Sequence, residues 1–327
     1  MAGESLSLFD ELPEPESHKT PLGLKLASLA ASGVFLGTSS WKYPGWLGQV
    51  YTESRYLSRG RFSEKRFQAE CLAEYAATFP IVCGDFSFYQ FPTPEYWERL
   101  FRSAPSSLKY AFKVPEEITV RMFPMHLRYG ARAGESNPSF LDALLLRTAF
   151  LDLLEPYRDQ IAVLVFEFGT FGKQTYRDVG AFLADLDPFL GNLPPAFRYG
   201  IEIRNQEFLT QEYFRCLRSH SIAHVFNAWT RMPEIGDQVE LPEVFTADFT
   251  VTRALLRKGR PYEAAVEKFS PYQKIQDPNP ETRQALRLLI SRARERSEPS
   301  YIFVNNRLEG NAPQTIQAIV GSALKVG

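Results

Sequence analysis

The chain has 327 residues, 44% of them hydrophobic and 23% charged, with a net charge of −1 and a pI near 6.5, which is the profile of a globular protein with a large core. This balance excludes bulk attraction to nucleic acid or an anionic membrane, so any anion site must come from local clustering. Cys71, Cys83 and Cys216 are few and scattered, no apolar run approaches the roughly 20 residues of a membrane span, and no secretory leader is evident; a cytoplasmic protein with reduced thiols and no membrane partner is expected. His18, His126, His220 and His224 show no metal-ligand spacing, so no zinc site is expected, and the sequence leaves the cofactor open.

Residues 1–30 are polar, with Pro13, Pro15 and Pro21 among acidic residues, and read as a flexible tail before a domain over 31–327. Within the tail, Ser5-Leu6-Ser7-Leu8-Phe9 is an apolar island. It resembles the Leu-x-Leu-Phe peptide by which bacterial replication and repair proteins dock on the DNA sliding clamp, with Ser5 where Gln is usual. The alternative is that Leu6, Leu8 and Phe9 pack on the domain's own surface.

From residue 34 onward strands alternate with helices. Strands are expected over 34–39, 81–89, 108–114, 161–168, 198–204, 222–229, 244–253 and 301–306, from β-branched and aromatic runs bounded by turn residues. Helical spacing marks 64–79, where Phe67, Cys71, Leu72, Tyr75 and Phe79 share a face. Further helices are expected from Pro94, Pro138, Tyr176, Phe208, Pro280 and Pro313, with Thr93 as the N-cap before Pro94. Residues 115–137 form a long excursion, read as a lid. Eight strand–helix units without a composition break predict a single (β/α)8 TIM-type barrel. An open doubly wound sheet is the alternative, but Gly37-Thr38-Ser39-Ser40 is not its glycine-rich phosphate turn.

In such a barrel the functional residues lie at the C-terminal ends of the strands. These ends carry Trp41 and Tyr43, then Ser87 and Tyr89, Lys113, Glu167, Glu202 and Arg204, Asn227 and Trp229, Arg253, and finally Asn305, Asn306 and Arg307. Glu202 and Arg204, two apart, share a face of the fifth strand. Four cations, Lys113, Arg204, Arg253 and Arg307, face Glu167 and Glu202 alone. That imbalance implies a bound anion, phosphate foremost, because an unpaired buried charge costs about 3–5 kcal/mol. The alternative is that Arg204 pairs with Glu202 while the other cations reach solvent. Trp41, Tyr43, Tyr89 and Trp229 offer faces for a sugar ring or a base. Glu202 is the candidate base, and Lys113 a Schiff-base candidate if desolvated. Asp248 falls early on its strand and His224 in mid-strand, so both are read as structural.

These residues together resemble the YecE-like family (domain of unknown function 72) over nearly the whole span from Gly37 to Leu324. The resemblance rests on Gly37-Thr38-Ser39-x-Trp41-x-Tyr43-x-x-Trp46-x-Gly48, Phe88-Tyr89, Phe112-Lys113 with Ile118-Thr119, Glu202-x-Arg204, Arg253, and Asn305-Asn306-x-x-x-Gly310-x-Ala312. It implies a TIM-type barrel loosely grouped with sugar-isomerase-related proteins. The chain departs from the family pattern at Cys83, Asp85 and Ser87 (usually Glu, Asn and Thr), at Val120 and Asn205 (usually His), and at Glu167 (usually Gln). Binding groups survive better than acid–base groups. The expected function is binding or conversion of a phosphorylated or otherwise anionic sugar or nucleotide by Lys113, Glu202, Trp41, Tyr43, Tyr89, Arg204, Asn227, Arg253, Asn305 and Asn306. The alternative is a non-catalytic, nucleic-acid-associated module tethered to the sliding clamp.

Overall fold

The computed structural model describes residues 20–323; the peptide at 5–9 and His18 lie outside them. Eight parallel strands close on themselves: β1 (Val34–Thr38), β2 (Ile81–Gly84), β3 (Lys109–Lys113), β4 (Ile161–Glu167), β5 (Tyr199–Glu202), β6 (Ala223–Ala228), β7 (Thr250–Ala254) and β8 (Ser300–Val304). Each pairs with its sequence neighbours, and β8 returns to β1 with Val34 opposite Ser300 and Thr38 opposite Val304. This is the expected (β/α)8 barrel.

Alternation along the strands divides the core in two. One set, including Ile81, Cys83, Val163, Val225, Val251 and Phe303, packs around the barrel axis. The other, including Leu36, Phe112, Phe166, Ile201 and Ile302, meets the outer helices. Both faces are buried, which is why the strands read as nearly continuous apolar runs. Two glycines let the axis fill. A Cβ on Gly37 would come within 1.9 Å of the Ile81 carbonyl oxygen, and one on Gly200 within 2.9 Å of Val225 Cγ2.

The longer helices of the outer layer are α1 (Pro21–Ala31), α2 (Glu64–Thr78), α3 (Pro94–Arg102), α4 (Val179–Gly191), α5 (Gln211–Ser219), α6 (Pro280–Arg296) and α7 (Ala312–Ala323). Their starts follow cap chemistry. Thr93 Oγ1 accepts from the Tyr96 N–H at 3.3 Å and Asn279 Oδ1 from the Thr282 N–H at 3.1 Å, each with proline opening the helix. Among the described residues, no helix is long and apolar enough to cross a membrane.

Three expectations need correction. Residues 21–30, read as tail, form most of α1: Thr20 Oγ1 accepts from the Gly23 N–H at 3.0 Å, and Leu26 and Leu29 are buried. Pro21 opens this helix rather than breaking it. The strand expected over 81–89 ends at Gly84, and Phe86–Tyr89 is a single helical turn. The excursion at 115–137 is folded on itself rather than draped. Tyr129 donates to Glu116 Oε2 at 2.8 Å, Asn137 Nδ2 donates to the Val120 carbonyl at 2.7 Å, and Arg128 reaches the rim by lying over the Tyr89 ring at 5.1 Å.

Candidate functional site

The axis-facing row turns polar at the C-terminal ends of the strands. Lys113 ends β3, Glu167 ends β4, Glu202 ends β5, and Arg253 stands one residue short of the end of β7. Glu167 is opposite Glu202 in the register, and Asn227 opposite Arg253. Continuing the alternation beyond β2 and β5 brings Asp85 and Arg204 into the same layer.

Six charges meet there. Arg253 Nη1 donates to Glu167 Oε2 at 2.7 Å and also to Glu202 Oε2, while its Nη2 lies 3.4 Å from Asp85 Oδ1. Lys113 Nζ is 2.9 Å from Glu167 Oε2 and 3.4 Å from Asp85 Oδ1. Arg204 Nη2 reaches Glu167 Oε1 at 2.9 Å and Glu202 Oε1 at 3.2 Å. The Arg204 guanidinium lies over the Trp229 ring at 3.7 Å, and the Lys113 ammonium over Phe88 at 4.5 Å. These are close cation–π contacts in a partly desolvated setting.

Three cations therefore face three carboxylates, and the charge deficit inferred from the sequence does not exist. Asp85 supplies the third carboxylate. Arg307 lies instead over the Tyr262 ring at 4.5 Å. Burial opposes ionisation of Glu167, but Arg204, Lys113 and Arg253 outweigh it and hold the carboxyl well below the usual range. Burial likewise works against the Lys113 charge, yet Asp85 and Glu167 raise its pKa. Burial also opposes the Arg253 charge, and Glu202 with Glu167 overcomes it, raising its pKa. The charged form of Lys113 is thus favoured, and the neutral amine that Schiff-base chemistry requires is disfavoured. Glu202, fully buried, has an arginine on each carboxylate oxygen.

The remaining sequence candidates divide between rim and scaffold. Asn227 Nδ2 donates to the Ile203 carbonyl at 3.1 Å and so staples β6 to the end of β5. Its Oδ1 and Arg253 Nε are buried without a hydrogen-bond partner among the described residues. Asn305 Oδ1 caps the turn after β8 by accepting from the Arg307 N–H at 2.9 Å. Asn306 Oδ1 accepts from Trp46 Nε1 at 3.2 Å and from the Ala312 N–H at 2.8 Å, tying the aromatic loop after β1 to α7. Trp41 is buried and perpendicular to Phe86, with ring centroids 6.4 Å apart, and Lys42 lies over its ring at 5.6 Å. Tyr43 is half-buried against Trp46 and Tyr272, and burial pushes its phenol up to about 12. Tyr89 is exposed beneath Arg128, outside the charged layer. Ser87 donates to the Lys113 carbonyl at 2.7 Å and anchors the helical turn. His224 is a core histidine among Tyr213, Phe214 and Phe226, and burial lowers its pKa to about 3.

Asp85 is the member of the layer that the candidate list lacks. Its signal was present: it stands two residues after axis-facing Cys83, the spacing that keeps a side chain on one face. Each carboxylate in the layer is tied to at least two cations. A cavity of about 690 Å³ opens at the opposite end of the barrel, around Ile161, Arg198, Tyr199, Ile222, Asp248 and Phe249. Asp248 belongs to that end, as its place early in the strand implied.

Fold and site together define a TIM-type α/β barrel whose C-terminal mouth is plugged by a balanced network of buried charges. Residues 35–324 match the family model described as "Protein of unknown function DUF72", and the chain belongs to that family. It is 25% identical over 179 residues to UPF0759 protein YecE of Escherichia coli strain K12, an alignment covering 54% of this chain and 51% of that one. The chain thus spans about half the length of the curated relatives it matches. A crystal structure of a DUF72 family protein from Thermotoga maritima MSB8 superposes with a TM-score of 0.57 at 20% identity, covering 88% of this chain and 97% of that one. One from Enterococcus faecalis V583 gives 0.55 at 16% identity, covering 90% and 98%. These likenesses establish the fold.

Proposed function

We propose that the C-terminal mouth binds or converts a small anionic ligand bearing hydroxyl groups, a phosphorylated sugar or a nucleotide. The observation that carries this reading is the loose hold on Asp85. Its contacts with Lys113 and Arg253 are both 3.4 Å, and at 28% side-chain exposure it is the most open member of the layer. An incoming phosphate or carboxylate at this position needs to displace only Asp85 to meet two cations. Arg204, 13% exposed and stacked on Trp229, borders the same opening. Guanidinium forks match oxyanions in two-point geometry, and the Trp229 indole offers apolar surface for a ring.

The direction of the Glu167 and Lys113 shifts favours anchoring over proton transfer, since both groups stay charged at neutral pH. Isomerase or hydrolase chemistry is an analogy of fold. The test is calorimetric titration with inorganic phosphate, sugar phosphates and nucleoside monophosphates, followed by the same titrations on Lys113→Ala and Arg204→Ala. Loss of binding in both variants is expected, with each still showing a cooperative thermal transition. Undiminished binding in both would remove the reading.

A further inference from the structure

On the outer layer, α4 and α5 bring together three unlike donors. Cys216 lies in α5, and His220, four residues on, is the C-cap of that helix, so the two share a face. Asp187 comes from α4. Its Oδ1 is 2.6 Å from His220 Nε2 and 3.6 Å from Cys216 Sγ, and the three donor atoms all lie within 4.8 Å of one another.

We propose that Asp187, Cys216 and His220 form a binding site for zinc or a similar borderline-soft divalent ion, with water completing the coordination. Thiolate, imidazole and carboxylate are the ligands such ions take. Zn–S bonds of about 2.3 Å and Zn–N or Zn–O bonds of about 2.0–2.1 Å set tetrahedral donor separations of roughly 3.3–3.6 Å. The Sγ to Oδ1 distance of 3.6 Å already fits. The Nε2 to Oδ1 pair, hydrogen-bonded at 2.6 Å, must open by about 1 Å or less as the ion takes the place of the shared proton, and the imidazole stays neutral with its one proton on Nδ1. Charge also closes: one thiolate and one carboxylate balance the ion's two positive charges, with the imidazole neutral.

Binding requires the thiol proton to leave for solvent. Because a proton is released as the thiolate takes up the ion, affinity rises with pH. The site is reachable, because the Asp187 side chain is 58% exposed and that of His220 22%.

The experiment titrates the full chain with Co²⁺ and follows thiolate-to-cobalt charge-transfer absorption, then displaces the cobalt with Zn²⁺. Cys71 and Cys83 are buried, so the thiolate signal reports on Cys216. The expected result is one ion per chain. Cys216→Ser should abolish the charge-transfer band, and His220→Ala should weaken binding at least about tenfold, the lower bound seen even for losing an outer-shell partner. Zinc should raise the melting temperature of the parent chain and not that of Cys216→Ser. A missing thiolate band, or a Cys216→Ser variant that binds as tightly as the parent, overturns the proposal. Phosphate binding at the mouth is read separately and is indifferent to either outcome.

Discussion

β4, β5 and β7 begin on Ile161, Tyr199 and Thr250, beside a cavity of about 690 Å³. The same three strands finish around Glu167, Glu202 and Arg253, whose side chains are between 0% and 7% exposed. One end is open and edged by surface loops; the other is filled by ionic groups that have consumed their own space. This cavity and the charged network therefore lie at opposite ends of the barrel. Pockets are the default place to look for a ligand. In this barrel the polar termini of the strands are the other candidate, and their charges are tightly paired because removing six charges from water costs several kcal/mol per ion otherwise.

The largest effect that separates the two ends should come from Arg253→Met. It leaves Glu167, Glu202 and Asp85 short of a cation, and urea denaturation should show a loss of about 3–5 kcal/mol. A loss below about 1 kcal/mol would mean that the network relaxes into water.

Acid sensitivity should also be traceable to particular groups. The folded pKa of His224 is lowered to about 3, so between that value and about 6.5 the unfolded chain binds the extra proton. Stability should fall as pH drops through this window, with a slope approaching 1.4 kcal/mol per pH unit. Glu167, also depressed, contributes stability that is complete above its unfolded value of about 4.3 and is lost as pH falls below it. Melting temperatures of His224→Phe measured from pH 7 to pH 4 should be flatter than the parent's over the whole range, with the fall that remains in the variant below about 4.3 belonging to carboxylates such as Glu167.

Asp85→Asn should sharpen the contrast in the other direction. Taking away the competing carboxylate should tighten phosphate binding about tenfold, or about 1.4 kcal/mol by calorimetry. Weaker binding would mean that Asp85 is a ligand contact and not an occupant of the anion position. Trp229→Ala should cost about 0.5–2 kcal/mol of stability through the lost face for Arg204. At the opposite end, Arg198→Ala removes an exposed side chain that donates to Tyr301 Oη at 3.3 Å. It should change stability by no more than about 0.5 kcal/mol and leave phosphate binding untouched.

The amino-acid order by itself determined the eight-strand rhythm, the helix starts at Thr93-Pro94 and Asn279-Pro280, and the placement of Lys113, Glu202, Arg204 and Arg253 near strand ends. Those are local matters: two-residue alternation and a cap hydrogen bond operate within a few positions. Local signals also misled where two readings compete. Phe86, Phe88 and Tyr89 have strand propensity, yet the chain turns after Gly84. Pro21 looked like tail composition, yet it opens α1. Only the tertiary structure decided the charge balance of the mouth, because Asp85 is separated from Arg253 by 168 positions and meets it through Arg253 Nη2 across the barrel axis. It alone brought Asp187 to Cys216 and His220, 29 and 33 positions away. Coulomb energy depends on distance in space and on the dielectric around the pair, and neither quantity is written along the chain.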